Sequence, residues 1–320
     1  MEKPSNLLLK LSRRLFESLE EQEKFIAALV NPQFFSPSIL WCQPKPEISP
    51  FLVETPLIWQ PQFIDRLALG EKPGQHTLHN QGYFYCLDFS SVFSASILLA
   101  ITQSIHTIFD MCAAPGGKSI FAWKALEPEL LISNEVIGKR LGMLISNLKR
   151  CQINPSIVVN RDSSIFAESI PASTNLVIVD APCTGQSLLA KGEKAPGCFH
   201  PTAINKSANR QKRIIANSAQ IVASQGYLAY MTCTYSPEEN EQVCEWFLSR
   251  FPQFKAVKVS HLQEYQSHLT TIPCYRMFPQ NRLGAGAFAV LFQNTAEGES
   301  QQLDLGALSA VWMNSNNNCA

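Results

Sequence analysis

Two cysteines stand in settings that favour thiolate chemistry. Cys183 lies in "DAPCTG" (180–185) and Cys233 in "TCTYSPEENE" (232–241), each just past an apolar run. A buried cysteine within a strand is an inert small hydrophobe, the ordinary fate of a lone cysteine. One just past a strand end, near a helix N-terminus, can have its thiolate stabilised and act as a nucleophile. Asp180 and Pro182 brace the first of the two. A third motif, "DMCAAPGGKS" (110–119), ends as a phosphate-binding P-loop does, but Cys112 stands where that loop needs its first glycine. The small residues and glycine pair still let a ligand approach the backbone. The free N–H groups of the helix that follows, starting at about Ser119, suit an anionic group. Glu135 lies beyond Asp110 by about the separation at which a Rossmann-like fold holds ribose hydroxyls. Asp162, after the next strand, is placed for the exocyclic amine of an adenine. Together these residues describe a site for an adenosine-bearing ligand without a triphosphate. A dinucleotide site fits less well, because the loop has one adjacent glycine pair and no GxGxxG.

The elements that must position these groups alternate. Strands are expected at 106–109, 130–133, 156–160, 175–180 and 226–232. Helices are expected at 92–101, 119–126, 138–151, 201–224 and 238–250. The unbroken apolar run of "NLVIVD" (175–180) suits a strand buried on both faces. This alternation implies parallel βαβ units in a doubly wound α/β sheet, whose ligands bind outside the carboxyl ends of the strands. The segments 254–259 and 287–293 suit a terminal antiparallel pair. Residues 5–31 read as helices, and the proline-rich stretch after them offers short strands at "SILWC" and "TPLIW". The expected organisation is a small accessory region with its own packing over 1–80, a main domain over 81–295, and a polar, disordered tail over 296–320.

The chain has 320 residues, 46% of them apolar, enough for a sizeable core. Its 26 basic and 26 acidic residues cancel, so overall charge favours no partner, and any nucleic-acid site must come from local segregation. None of the ten cysteines forms a CxxC pair, so no metal is expected. No signal peptide and no membrane span are read from the sequence, and the expected compartment is the reducing cytoplasm.

The motifs "DMCAAPGGKS", "DAPCTG" and "YMTCTYSPEENE", in this order and spacing, closely resemble the Nop/Sun family of RNA cytosine-5 methyltransferases, which includes the bacterial Sun-type ribosomal RNA enzymes. "NEVIGKRLGML" (134–144), "NRDSS" (160–164), "RQKRIIANSAQIVASQGYLAY" (210–230) and "RMFPQNRLGAGAFAVLF" (276–292) match as well, so the resemblance covers about residues 80–293. "GYFYCLDFSS" (82–91) is similar to the family's lead-in, with Leu87 where glutamine is usual. "SILWCQPK" (38–45) replaces the family's R-x-N-x-x-K segment. The resemblance implies a Rossmann-like class I methyltransferase fold and S-adenosylmethionine as methyl donor. It places the donor on Cys112, Ala113, Ala114, Pro115, Gly116, Gly117, Lys118, Glu135, Arg140, Asp162 and Asp180. It implies that Cys233 attacks the cytosine and that Cys183 helps release the product. Asp180 can hydrogen-bond the ring nitrogen or amine, and Lys118 either adds positive potential or caps the adjacent chain.

RNA, ribosomal or transfer, is the implied partner. The segment 186–216 carries Lys191, Lys194, Lys206, Arg210, Lys212 and Arg213 against one acid, Glu193, with Phe199 and His200 as rings that can stack on a base. A solvated helix face is the alternative reading of those charges. Two other functions share the fold: a small-molecule methyltransferase, which gives no reason for two strand-end cysteines, and a non-catalytic RNA-binding or assembly factor, which gives no reason to keep both.

Overall fold

The computed structural model describes residues 4–298 and 300–314. Two amphipathic helices open the chain, α1 (Asn6–Leu15) and α2 (Leu19–Val30). They are followed by β1 (Ser38–Trp41), β2 (Ile64–Arg66), the short α3 (Thr77–Asn80) and β3 (Phe84–Leu87). The three strands form an antiparallel sheet in the order β2-β1-β3. The accessory sheet therefore closes only at Leu87, later than the boundary expected at residue 80.

"TPLIW" is not a strand. Pro56 and Pro61 lack ladder donors, the chain turns there with Gln60 donating to the Leu57 carbonyl at 2.9 Å, and Trp59 is buried against Phe89 and Phe93. The accessory region does not pack only on itself. One face of its sheet makes a local cluster of Ile39, Trp41, Phe51, Leu67 and Phe84. Its other face, with Leu40, Ile64, Tyr85 and Leu87, joins the core of the main domain.

The main domain runs through α4 (Phe89–Ala95), β4 (Thr107–Asp110), α5 (Gly117–Leu126), β5 (Leu130–Asn134), α6 (Gly138–Arg150), β6 (Ser156–Val159), α7 (Ser163–Ser169) and β7 (Thr174–Asp180). It continues with α8 (Pro201–Ile221), β8 (Val222–Thr232), α9 (Glu241–Arg250), β9 (Phe254–Ala256), β10 (Tyr275–Met277), β11 (Ala287–Asn294) and β12 (Trp312–Asn314). The sheet order is β10-β11-β8-β7-β4-β5-β6-β12, with β9 on β11. Strands β4 to β8 pair in parallel; β11 is antiparallel to β8, β9 and β10. The fold is thus the Rossmann-like α/β arrangement expected.

Strand period explains the two-sided core. In β4, β7 and β8, Ile108, Leu176, Ile178, Ala229 and Met231 face one helical layer, with Phe121 and Leu144. Their alternates Phe109, Val177, Val179, Leu228 and Tyr230 face the other, with Ile215 and Phe247.

Two expectations are corrected. Helix α8 ends at Ile221 rather than 224: the chain turns extended at Val222, where the Asn294 side-chain amide donates to the carbonyls of Val222 and Ala223. Within the expected disordered tail, Trp312–Asn314 pair antiparallel with β6 and Leu308 is buried, because the outer edge of β6 still offers ladder groups. Residues 315–320 lie outside the described residues.

Candidate active site

The order of the parallel strands reverses between β4 and β7, so their carboxyl ends open a crevice. All three motifs leave from this region: "DMCAAPGGKS" after β4, "DAPCTG" at the end of β7 and "TCTYSPEENE" from the end of neighbouring β8.

The β4 loop is held from several sides. Ala113 donates to the Asn134 carbonyl at 2.8 Å, and Gly116 donates to the Ala113 carbonyl at 2.7 Å. Gly116 has φ +112°, a conformation glycine adopts without steric cost, and α5 starts at the next residue. Gly117 also allows a close approach: a Cβ there would sit 2.7 Å from Leu87 and 3.2 Å from Tyr85 of β3. The helix therefore begins two residues before Ser119. Asp110 is fully buried, accepts from the Ser119 hydroxyl at 2.6 Å and from the Cys112 amide at 3.3 Å, and is pushed up to about 7 by burial. Burial likewise raises the Cys112 thiol well above its ordinary value, so it is no competing nucleophile.

Arg140 ties Glu135 to this loop. Its guanidinium pairs with the buried Glu135 carboxylate at 3.0 Å and donates to the Ala114 carbonyl. Asn147 donates to the Pro115 carbonyl at 2.9 Å. Glu135 also accepts from the Ile137 amide at 2.8 Å. A carboxylate offers about four acceptor positions, so these contacts leave room for hydroxyl groups of a ligand. Asp162 follows β6 at the same edge of the sheet. It caps α7 by accepting from the Ser164 amide at 3.1 Å, a bond that holds its carboxyl below the ordinary value, and it pairs with Arg213 at 3.4 Å.

Across the crevice, Lys118 Nζ lies 2.9 Å from Asp180 Oδ2 and 3.0 Å from the Ser91 hydroxyl. Lys118 thus pairs with Asp180 and also holds Ser91 of α4. Burial pulls its ammonium down, but the charge of Asp180 and its hydrogen bond more than offset that, and the net shift is upward. The Cys183 and Cys233 Sγ atoms lie 3.2 Å apart, with Cys233 exposed to the crevice. A hydrogen bond between the two thiols pulls Cys233 below the ordinary value and pushes Cys183 well above it. Burial and the charge of Asp180 oppose that shift, and Lys118 partly offsets them. Of the two sulfurs, the exposed one is therefore the more readily ionised.

What holds the two cysteine loops together was not read from the sequence. Glu239, buried in the 3-10 turn Pro237–Glu239, spans both. Its Oε1 accepts from the Thr184 amide at 2.9 Å and the Gln211 amide at 3.0 Å; its Oε2 accepts from the Thr184 hydroxyl at 2.6 Å and the Thr234 hydroxyl at 3.3 Å. Burial raises its carboxyl above the ordinary value. Gln186, also buried, accepts from the Tyr235 and Ser236 amides at 2.9 and 3.1 Å. The only hint in the sequence is that Glu239 belongs to "TCTYSPEENE".

The basic segment is partly neutralised. Lys191 pairs with Asp88 at 2.7 Å, and Arg210 donates to the Pro182 carbonyl at 3.2 Å. Among the described residues Lys194 and Lys206 form no ion pair, and Glu193, next to Lys194 in the chain, is exposed. Phe199 packs, half-buried, against the cluster of α1 and α2, while His200 accepts from the Thr202 amide at 3.3 Å and caps α8. Phe199 is therefore not the free stacking ring expected.

The family model for the 16S rRNA methyltransferase RsmB/F matches residues 96–293. The chain belongs to this family. Within the RsmB/F relatives, "Ribosomal RNA small subunit methyltransferase F" of Pectobacterium carotovorum subsp. carotovorum is 27% identical over 222 residues, 68% of this chain and 46% of that one. The protein of the same name from Cronobacter sakazakii is 29% identical over 253 residues, 77% and 52%. The chain thus spans about half the length of these relatives. Two solved structures share the fold. NSun6 from Pyrococcus horikoshii with SFG has a TM-score of 0.71 at 19% identity, covering 92% of this chain and 99% of that one. A methyltransferase homolog protein from Pyrococcus horikoshii has a TM-score of 0.68 at 19% identity, covering 91% and 99%. Among the described residues no helix is long and apolar enough to cross a membrane.

Proposed function

We propose that this chain transfers a methyl group from S-adenosylmethionine to carbon 5 of a cytosine in ribosomal RNA. The observation that carries the reading is the pair of thiols 3.2 Å apart, one exposed and ionised more readily, beside the Lys118–Asp180 ion pair. The donor fits the β4 loop and its neighbours. Residues 112–118 give close backbone approach, the first turn of α5 gives unpaired amides for a carboxylate, Glu135 braced by Arg140 suits ribose hydroxyls, and Asp162 suits an adenine amine. When bound, S-adenosylmethionine supplies an electrophilic methyl group.

The protein's own part is to make and unmake a bond to the ring. Carbon 5 of cytosine is a poor nucleophile. Cys233 thiolate adds to carbon 6 and turns the ring into an enamine that is nucleophilic at carbon 5. Asp180, held by Lys118, accepts from the exocyclic amine and orients the ring, and the Lys118 ammonium beside it stabilises the negative charge that develops on attack. After methylation the proton on carbon 5 must leave before the sulfur can depart. Forming the thioether removes the negative charge from Cys233, and with it the cause that holds Cys183 protonated. Cys183 then releases its own proton to solvent, takes the carbon-5 proton as a thiolate, and Cys233 leaves as the thiolate, so that one proton is released per methyl group transferred. The target base must leave its stack to reach this crevice, so single-stranded or remodelled RNA is favoured. A substrate of this kind puts the protein in the cytoplasm, with its cysteines as free thiols.

Cys233→Ala tests the assignment. Methyl transfer to RNA and any covalent protein–RNA adduct should disappear, while S-adenosylmethionine binding by calorimetry stays at the wild-type level. An adduct formed in undiminished yield refutes Cys233 as the nucleophile. Bisulfite sequencing of total RNA with and without the gene identifies the substrate, through the one methylcytosine that disappears.

A further inference from the structure

Helices α8 and α9 both start at the crevice edge of the sheet and run away from it side by side. Between them lies a concavity of about 850 Å³ lined by Lys212, Arg213, Trp246, Arg250, Asn209 and Gln220, with Ala216 and Phe251 completing it. Three of these residues are cationic and none is acidic. Arg213 is paired with Asp162, but among the described residues neither Lys212 nor Arg250 pairs with a carboxylate. The Lys212 ammonium instead sits over the half-buried Trp246 indole, 5.7 Å from its centre, where the ring face holds it without neutralising it. Two uncompensated charges on a built concave surface attract an anion, and the extended shape along α8 matches a polyanion rather than a point charge. From Asn209 to Gln220 the helix advances about 16 Å, at about 1.5 Å per residue.

Side chains of α8 beside the groove reach toward the crevice. Arg210, next to Asn209, reaches the Pro182 carbonyl beside Cys183, and Arg213 reaches Asp162. We propose that this groove is the track for the RNA strand flanking the target cytosine, with Lys212 and Arg250 touching its phosphates and setting how much single-stranded RNA the protein grips. This rests on the RNA-methylation reading above. It assigns the RNA track to the α8–α9 face of the main domain rather than to the accessory region. Phosphate contacts of this kind set affinity and register and carry no sequence information.

The test compares wild type with Lys212→Glu/Arg250→Glu and with the milder Lys212→Gln/Arg250→Gln, none of which touches the cysteine pair or the donor site. The probes are single-stranded, cytosine-containing RNA oligonucleotides of 6 and 16 nucleotides, read by fluorescence anisotropy at several salt concentrations. Calorimetry with S-adenosylmethionine and a thermal melt confirm that each variant is folded. The 16-mer should bind wild type at least tenfold more tightly than the 6-mer. The Glu variant should bind the 16-mer at least tenfold more weakly than wild type does, with the 6-mer little changed. In the Gln variant the slope of log affinity against log salt should be shallower by about 1.4, at about 0.7 for each single-strand phosphate that is no longer neutralised. Wild-type binding of the 16-mer with both variants matching its affinity and slope overturns the groove alone. An equal weakening for both oligonucleotides also overturns it, since the track would then not be what reads length. A wild-type protein that binds neither oligonucleotide overturns the RNA reading and the groove with it.

Discussion

Removing the Glu239 carboxylate should separate the two cysteine loops, and its hydrogen bonds set how much each replacement costs. Glu239→Ala strands two donors that cannot accept in return, the Thr184 amide and one N–H of the Gln211 side-chain amide, whose nitrogen keeps its bond to the Pro182 carbonyl at 3.2 Å. A buried donor left without a partner costs about 1–3 kcal/mol, so the pair costs about 2–6 kcal/mol, a large share of the roughly 5–15 kcal/mol that holds a domain together. Glu239→Gln should behave differently. Its carbonyl can take the place of Oε1 on the two amides. Its NH2 group then faces the Thr184 and Thr234 hydroxyls, which can rotate to accept. The cost should stay within about 1 kcal/mol, since each net hydrogen bond is worth only about that much. Urea unfolding measures both variants, with the midpoint interpreted only while the slope stays constant. The catalytic consequence follows from position: Thr184 adjoins Cys183 and Thr234 adjoins Cys233. A displacement of about 1 Å at the sulfur pair is enough to lower methyl transfer about 10²-fold. Glu239→Ala should show that loss at a temperature where it remains folded, and Glu239→Gln should not. Equal damage from the two substitutions, or an Ala variant as stable as wild type, refutes the clamp.

Cys183→Ala should trap a covalent protein–RNA adduct visible as a slow band on a denaturing gel, because the proton on carbon 5 then lacks its acceptor; normal turnover with rapid release contradicts the role given to Cys183. Asp110 yields a pH prediction with a definite sign. Burial raises its folded-state value from 3.8 to about 7, so the stability it contributes is complete below about pH 4 and is lost as pH rises through about 7. Asp110→Asn should keep the contacts to Ser119 and Cys112 without this dependence. The stability of wild type relative to Asp110→Asn, from denaturation at each pH, should therefore fall between pH 4 and 7 by on the order of 4 kcal/mol. A difference that stays flat over that range removes Asp110 as a titrating group.

Which parts of this molecule can be read from sequence follows from how each part is stabilised. The strands β4 to β8 are legible because a strand buried on both faces must be apolar at every position, and the crevice is legible because ligand residues follow those strands directly. The accessory sheet hides because β2 has only three residues, too few to show a period, and because Trp59 is buried through a turn rather than a strand. Glu239 hides for a different reason: in a sequence, a carboxylate that accepts four hydrogen bonds in the interior looks the same as one in water. Lys118 and Asp180 are 62 residues apart, so their pairing exists only once β4 and β7 are neighbours. The same is true of the sulfurs. Sequence places each cysteine at a strand end, but only the adjacency of β7 and β8 brings the two sulfurs to 3.2 Å. The proposed chemistry needs one charge on that pair. Two thiolates 3.2 Å apart would repel, and two thiols would not attack, whereas a single charge can sit on Cys233 for addition and then on Cys183 for release. The separate catalytic roles proposed for two identical side chains thus rest on their contact and on which of them faces the crevice.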